Sequence, residues 1–137
     1  MSQPSSTANF LLNGEFTQEG QHWTPNPPEN ARYEDGHCVL QAPGLITQDV
    51  TIASEGEFRF SVKMKSEQGS ACTAQVLLYP SWEVRRLDIG GGTPWSAHFV
   101  DFTAPAGTNK VTIKLQANDG PFDTFGSYFD DVRLERR

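Results

Sequence analysis

The sequence predicts an all-β fold, and three observations support this prediction. Apolar and polar residues alternate with a period of two through 58–65 and again through 111–118, which is the pattern of a strand with one buried face. Turn-forming pairs such as Asp35-Gly36 and Asp119-Gly120 interrupt the chain at short intervals. No long window keeps a helical stripe of apolar residues. Many short strands with this spacing are typical of a β-sandwich or barrel.

The individual strands follow in order from this alternation and from the turns. The run Leu11–Phe16 is expected to open the fold as a short strand, and Gly126–Glu135 is expected to close it. The prolines within Thr24–Asn30 predict a rigid loop, because proline cannot donate to a strand ladder. The other predicted strands are His37–Ala42, Leu45–Ile52, Glu57–Lys65, Ala71–Tyr79, Glu83–Ile89, Ser96–Thr103 and Val111–Asn118.

Length and charge limit the possible functions. The 137-residue chain is long enough for one domain with a sizeable core. We expect residues 1–8 to be a disordered leader and residues 9–137 to form the domain. The net charge of −6 argues against a nucleic-acid partner, because phosphate binding needs a basic surface. No segment approaches the roughly 20 apolar residues of a membrane span.

The first residues contain neither the basic nor the apolar region of a secretory signal. A cytoplasmic location is therefore the default expectation, and an extracellular one applies if the domain is a module cut from a larger secreted protein. Cys38 and Cys72 fall in predicted strands, where free thiols usually pack as small apolar groups. A disulfide between them is the alternative, because the sequence does not fix their separation.

The sequence contains no recognisable catalytic motif. A P-loop, a Rossmann fingerprint, a nucleophile elbow and an H-E-x-x-H run are all missing. The histidines His22, His37 and His98 lack the spacing of metal ligands. Carboxylates are numerous enough for a glycosidase pair, but nothing in the sequence places two of them across a cleft. We therefore expect a protein that is not an enzyme.

Several short segments, taken in order, point to a family. They are Leu11-Leu12-Asn13-Gly14-Glu15-Phe16 with Gly20 and Trp23, then Gln48-Asp49-Val50, then Pro94-Trp95 with Phe102-Thr103-Ala104-Pro105, and finally Phe129-Asp130-Asp131-Val132. In this order, over residues 9–134, the chain resembles the carbohydrate-binding modules of families 4, 9, 16 and 22. The resemblance implies a galactose-binding-like jelly roll, in which two antiparallel sheets form a sandwich, and a non-catalytic role in binding sugars.

The same resemblance implies a structural calcium ion that clamps the first and last strands. The residues at the matching positions are Glu15, Thr17 and Asp130. Thr17 stands where the family has a glutamate, which removes one carboxylate from an ion that takes six to eight oxygen ligands. The alternative is that Asp130 caps a turn or pairs with a nearby arginine, so calcium remains an open expectation.

A sugar site needs exposed aromatic rings beside planar polar groups. Trp82 lies in a proline-bent connection between two predicted strands and is the leading candidate. Trp23 and Trp95 match family positions that usually pack at the edge of the core. The residues predicted to line one concave sheet are Trp82, Tyr79, Arg85, Gln75, Phe99, Gln116 and Asn118. The alternative for Tyr79 and Phe99 is packing beneath a covering loop, and a second possible site comprises Tyr33 and residues 118–123.

Two functions are therefore considered. The first is a non-catalytic domain that recognises an oligo- or polysaccharide through aromatic stacking and polar contacts. The second is a protein-interaction or assembly module that has kept the jelly roll without sugar binding. The absence of an attached catalytic domain favours the second function, and the predicted aromatic residues favour the first.

Overall fold

Two antiparallel sheets of five strands each form a sandwich, which confirms the predicted all-β fold. The computed structural model describes residues 9–52, 56–118 and 125–137, so the expected leader at residues 1–8 lies outside the described residues. Sheet A has the strand order β1-β4-β9-β6-β7, and sheet B has the order β2-β3-β10-β5-β8. The strands are β1 Thr24–Asn26, β2 Ala31–Glu34, β3 His37–Gln41, β4 Leu45–Thr51, β5 Gly56–Ser66, β6 Ala71–Tyr79, β7 Glu83–Ile89, β8 Ser96–Ala104, β9 Lys110–Asn118 and β10 Phe125–Arg136.

The core lies between the two sheets and follows the alternation seen in the sequence. Phe58, Phe60 and Met64 of β5 are fully buried, and so are Ile113 and Leu115 of β9. Burying one such side chain stabilises the fold by roughly 1.5–3 kcal/mol. Because every second residue of a strand points inward, the same alternation directs the intervening residues to the two outer surfaces.

Both cysteines pack into this core as free thiols. Cys38 lies on β3 and Cys72 on β6, so they belong to opposite sheets. Burial raises the pKa of the Cys72 thiol to about 12 and raises the pKa of the Cys38 thiol well above its usual value. Both groups are therefore neutral thiols at physiological pH, as expected for small apolar side chains.

The N-terminal segment Leu11–Phe16 forms a loop, so its predicted strand is wrong. Asn13 and Phe16 adopt positive φ values of 54°, which lie in the left-handed region and interrupt an extended strand. The Asn13 side chain stabilises this loop by donating to the carbonyls of Glu19 and Gln21 at 2.8 Å each. The apolar residues still reach the core, because Leu11 and Phe16 are buried.

This loop lies against the last strand, as the resemblance implied. The Asn9 amide donates to the Val132 carbonyl at 3.0 Å, and its Oδ1 atom accepts from the backbone N–H groups of Leu11 and Leu134 at 3.0 and 2.9 Å. The backbone of Val132 also donates to the Gly14 carbonyl at 2.9 Å. The start and end of the described chain are thus joined by hydrogen bonds to loop residues rather than by a strand pair.

The segment Thr24–Asn30, predicted to be a loop, contains β1 and a short 3-10 helix at Pro28–Asn30. Strand β1 is an edge strand of only three residues, paired to β4 from Thr24 to Asn26. A short edge strand tolerates proline because one side of it makes no ladder bonds. No helix among the described residues is long and apolar enough to cross a membrane.

We predict that Asn9→Ala lowers the free energy of unfolding by roughly 2–4 kcal/mol, because it removes three partly buried hydrogen bonds worth about 1 kcal/mol each. Denaturant unfolding measures this loss. The matched control is Asn26→Ala, an exposed asparagine on β1, which should change stability by less than about 0.5 kcal/mol. Equal losses for the two variants would show that Asn9 does not fasten the termini.

Candidate functional site

The outward residues of β6 and β9 form the centre of one polar surface. Ala74, Val76 and Leu78 of β6 are buried in the core, so the residues between them face outward. The register sets Gln75 opposite Lys114 and Thr73 opposite Gln116. We call this surface the sheet A outer face. Its central members are Thr73, Gln75, Leu77 and Tyr79 of β6 and Lys110, Thr112, Lys114 and Gln116 of β9.

An aromatic pair stands at one end of this face. Trp82 lies in the turn between β6 and β7, where its backbone N–H donates to the Leu78 carbonyl at 2.7 Å. The indole is 69% exposed. Its ring meets the half-buried Tyr79 ring edge-on, with 4.6 Å between centroids, and the Lys110 ammonium lies 4.6 Å from the Tyr79 centroid. Trp82 and Tyr79, two of the residues predicted to line the site, thus pack against each other at this end of the face.

The predicted polar residues of β6 and β9 also reach this face. The amides of Gln75 and Gln116 are half-buried, and neither has a hydrogen-bond partner within the described part of the chain. Asn118 pairs with Ala71 at the end of the same ladder. Most of the alternative site at residues 118–123 lies outside the described residues, and Tyr33 lies on β2 in the other sheet.

Arg85 does not belong to the sheet A outer face. It pairs with Val76, which points into the core, whereas its neighbour Arg86 pairs with Gln75. Neighbouring residues of a strand point to opposite sides of the sheet. The prediction of Arg85 instead of Arg86 was therefore wrong by one residue and placed the guanidinium on the other side of sheet A. Counting back from the turn that pairs Leu78 with Glu83 would have selected Arg86.

Phe99 lies on the opposite side of the molecule. Its strand β8 belongs to sheet B, where Phe99 pairs with Ser61. The ring is 55% exposed, and the Arg59 guanidinium lies 4.2 Å from its centroid. The alternation in β8 correctly indicated that Phe99 points outward. It did not reveal the sheet to which the strand belongs, because that depends on long-range pairing.

The carboxylates of the sheet A outer face are already engaged. Asp49 accepts a hydrogen bond from the Thr112 hydroxyl at 2.6 Å. Asp88 pairs with Arg86 at 2.8 Å and accepts from Thr73 at 2.7 Å. Partial burial raises the pKa of the Asp88 carboxyl, but the bonds from Arg86 and Thr73 outweigh it and the net shift is downward. Both carboxylates are therefore held by residues of this chain.

A second polar site lies on the outer side of sheet B. Glu15, Thr17 and Asp130, the residues that the resemblance assigned to calcium, line one hollow of about 370 Å³. Asp131, Lys63 and Arg133 line the same hollow. The Asp130 carboxyl accepts from the backbone N–H of Asp131 at 2.7 Å, and partial burial raises its pKa.

These residues do not fit a calcium ion. Arg133 contacts Asp131 at 3.0 Å and Glu15 at 3.6 Å, and Lys63 contacts Asp131 at 3.7 Å. Two side-chain cations therefore occupy the hollow in which a hard cation would need six to eight oxygens. Within the described ranges, no three histidine, cysteine, aspartate or glutamate side chains group to hold a metal. Arg133 itself links the N-terminal loop to β10.

Comparison with solved structures identifies the fold. A family 4 carbohydrate-binding module matches with a TM-score of 0.66 at 18% identity, covering 92% of this chain and 99% of that one. A family 61 module bound to β-1,4-galactotriose matches with a TM-score of 0.63 at 19% identity, covering 96% and 100%. A C-terminal family 22 module from Clostridium thermocellum gives 0.65 at 13%, covering 97% of each chain.

No protein-family model matches the sequence, and no curated protein matches it. The structural matches extend over almost the whole chain, so the likeness is that of an entire domain. At these identities the likeness establishes the fold. The chain has the jelly-roll fold of these carbohydrate-binding modules.

We predict that calcium does not stabilise this domain. Millimolar calcium chloride and excess EDTA should give the same melting temperature within about 1 °C, because Arg133 and Lys63 already pair with Glu15 and Asp131 and leave Asp130 as the one lining carboxylate without an ion pair to a described residue. Arg133→Gln should lower the melting temperature by a few degrees in both solutions, as expected for a partly exposed ion-pair network. A rise of several degrees on adding calcium would mean that the folded state binds the ion.

Proposed function

We propose that this protein is a non-catalytic carbohydrate-binding domain and that the sheet A outer face is its binding surface. The observation that carries the proposal is the exposed Trp82 ring, which packs edge-on against Tyr79 at one end of a face whose Gln75 and Gln116 amides have no hydrogen-bond partner among the described residues. The fold likeness to a module bound to β-1,4-galactotriose supports a ligand of this class.

The geometry suits a chain of sugar units in two ways, because the aromatic pair and the two glutamines lie several residues apart along the strands. An exposed indole offers a flat apolar surface for the C–H face of the sugar, and covering it removes apolar area from water at roughly 25 cal/mol per Å². The amides of Gln75 and Gln116 each offer a donor and an acceptor to adjacent hydroxyl groups. Both glutamines lie on strands in the interior of sheet A. Binding therefore costs little ordering of the protein backbone.

We predict that Trp82→Ala weakens binding of the best oligosaccharide at least tenfold and removes the ligand-induced change in tryptophan fluorescence. Tyr79→Ala should weaken binding less, because its ring positions the indole rather than presenting the larger exposed surface. The screen is a glycan array that includes β-1,4-galactotriose, followed by calorimetric titration of the hits.

The matched control is Phe99→Ala, another exposed aromatic residue on the opposite sheet. It should leave glycan affinity within about twofold of the original protein. Unchanged affinity in both Trp82→Ala and Tyr79→Ala would rule out the sheet A outer face as the binding surface.

A second candidate function is protein association through sheet B, and specific residues favour it. Trp95 is 41% exposed and packs edge-on against His37 and Tyr128, with centroid distances of 5.5 and 6.1 Å. Phe99 is also exposed on the outer side of this sheet. Unlike Trp23, which is buried as expected, Trp95 is therefore available for contact.

If association is the function, light scattering will show an oligomer at micromolar concentration, and the double variant Trp95→Ser, Phe99→Ser will be monomeric because the apolar contact is lost. The control is Trp82→Ser, which leaves sheet B intact. A monomer at all concentrations, together with a glycan hit, would exclude self-association and retain the first function.

A further inference from the structure

The lysines of the sheet A outer face form no ion pair with a described residue, whereas Lys63 and several arginines of the protein do. Lys114 lies on β9, the central strand of sheet A, between Thr47 of β4 and Gln75 of β6. Its side chain is half-buried. No carboxylate of the described residues lies within ion-pair distance of it.

Lys110 lies on the same face and strand, and it too forms no ion pair with a described residue. Its ammonium group contacts the Tyr79 ring at the aromatic end of the face. Four residues separate it from Lys114, which is about 13 Å along an extended strand. The two lysines and the Trp82–Tyr79 pair thus follow one line across the face.

The other sheet gives an internal comparison. Lys63, on the outer side of β5, pairs with Asp131 at 3.7 Å. Lys65, two residues further, lies over the Tyr128 ring, and the hydroxyl of that tyrosine donates to Glu67. Lys63 is thus paired with a carboxylate, whereas Lys65, like Lys110, contacts a tyrosine ring and forms no ion pair with a described residue.

Two lysines without a carboxylate partner on one face are unexpected in a chain with a net charge of −6. Two acidic groups of the same face already bond to other residues, since Asp49 accepts from Thr112 and Asp88 pairs with Arg86. The Lys114 ammonium group is thus left without a counter-ion among the described residues. An anion delivered by a ligand would compensate it, and charge-assisted bonds to such an anion are stronger than neutral ones.

We propose that the sheet A outer face binds an anionic glycan, with Lys114 contacting a carboxylate or sulfate group of the sugar chain. This rests on the proposed function and names its ligand class. Lys110 contacts a second anionic group near the aromatic pair, while Gln75 and Gln116 bind neutral hydroxyl groups. Arg86 contributes less, because its guanidinium is already bound to Asp88.

The test compares ligands that differ only in charge. The probes are tetragalacturonate and its methyl ester, and cellotetraose with its C6-carboxylate and C6-sulfate derivatives. Calorimetry should give at least tenfold tighter binding for a charged member than for its neutral counterpart. Raising the salt from 50 to 500 mM should weaken the charged complex severalfold, because exposed charges are screened, and should leave the neutral complex almost unchanged. Comparing the affinities of the C6-carboxylate and C6-sulfate derivatives identifies which anion the protein prefers.

Lys114→Gln should reduce affinity for the preferred charged probe about tenfold and affinity for the neutral partner less than twofold. Lys110→Gln should have a smaller effect in the same direction. The matched control is Lys63→Gln, a lysine of the central region of the other sheet, which should change neither affinity. Circular dichroism and thermal melting confirm that each variant is folded.

Two outcomes would overturn this proposal, and they differ from failure of the proposed function. Equal binding of charged and neutral probes, with Lys114→Gln unchanged, would show a neutral-glycan site and leave the carbohydrate function standing. Binding of the charged probes that is lost in Lys63→Gln rather than Lys114→Gln would place the anion site on sheet B. Binding of no glycan at all would remove both proposals.

Discussion

The side-chain amide of Asn9 fastens the start of the described chain to its last strand. Because it bonds to Val132 and Leu134 together, the N-terminal loop is held along β10 at two points. Strand β10 pairs with both β3 and β5, so it is the central strand of sheet B. Leu11 and Phe16 then enter the core beneath this connection. Packing across that core supports sheet A, whose outer face carries the candidate site.

The alternation of apolar and polar residues explains which strands and site residues could be predicted from the sequence and which could not. The strands with strict period two, β5 and β9, were placed correctly, because their burial depends only on local pattern. The N-terminal strand was wrong, since the left-handed conformations of Asn13 and Phe16 do not alter the pattern of apolar residues. Arg85 was assigned to the wrong side of sheet A, because the alternation along β7 was counted one residue out of step. Phe99 was assigned to the wrong sheet, because the pairing of β8 with β5 depends on contacts far apart in sequence.

Electrostatic partners distinguish the two outer surfaces more clearly than composition does. On sheet B, Lys63 and Arg133 converge on Asp131, so part of the acidic charge of the hollow is paired internally. On sheet A, Thr112 and Arg86 engage the carboxylates, and Lys114 remains without a described counter-ion. An internally paired surface contributes to stability, whereas an uncompensated one is suited to a charged ligand. The number of lysines alone would not separate these roles.

In this sandwich, the residues that determine stability and the residues that could contact a ligand lie on opposite sides of the same strands. Residues that face the core, such as Val76 and Ile113, determine whether the sheets pack, while their strand neighbours Gln75 and Lys114 point the other way. A change at an outward position therefore leaves core volume intact, and large effects on stability come mainly from buried positions. The fold can therefore be kept while outward residues change, and it is shared with the matched modules at only 13–19% identity. If the sheet A outer face is the binding surface, its specificity depends on a few outward side chains of β6, β7 and β9, which can be altered one at a time without unfolding the domain.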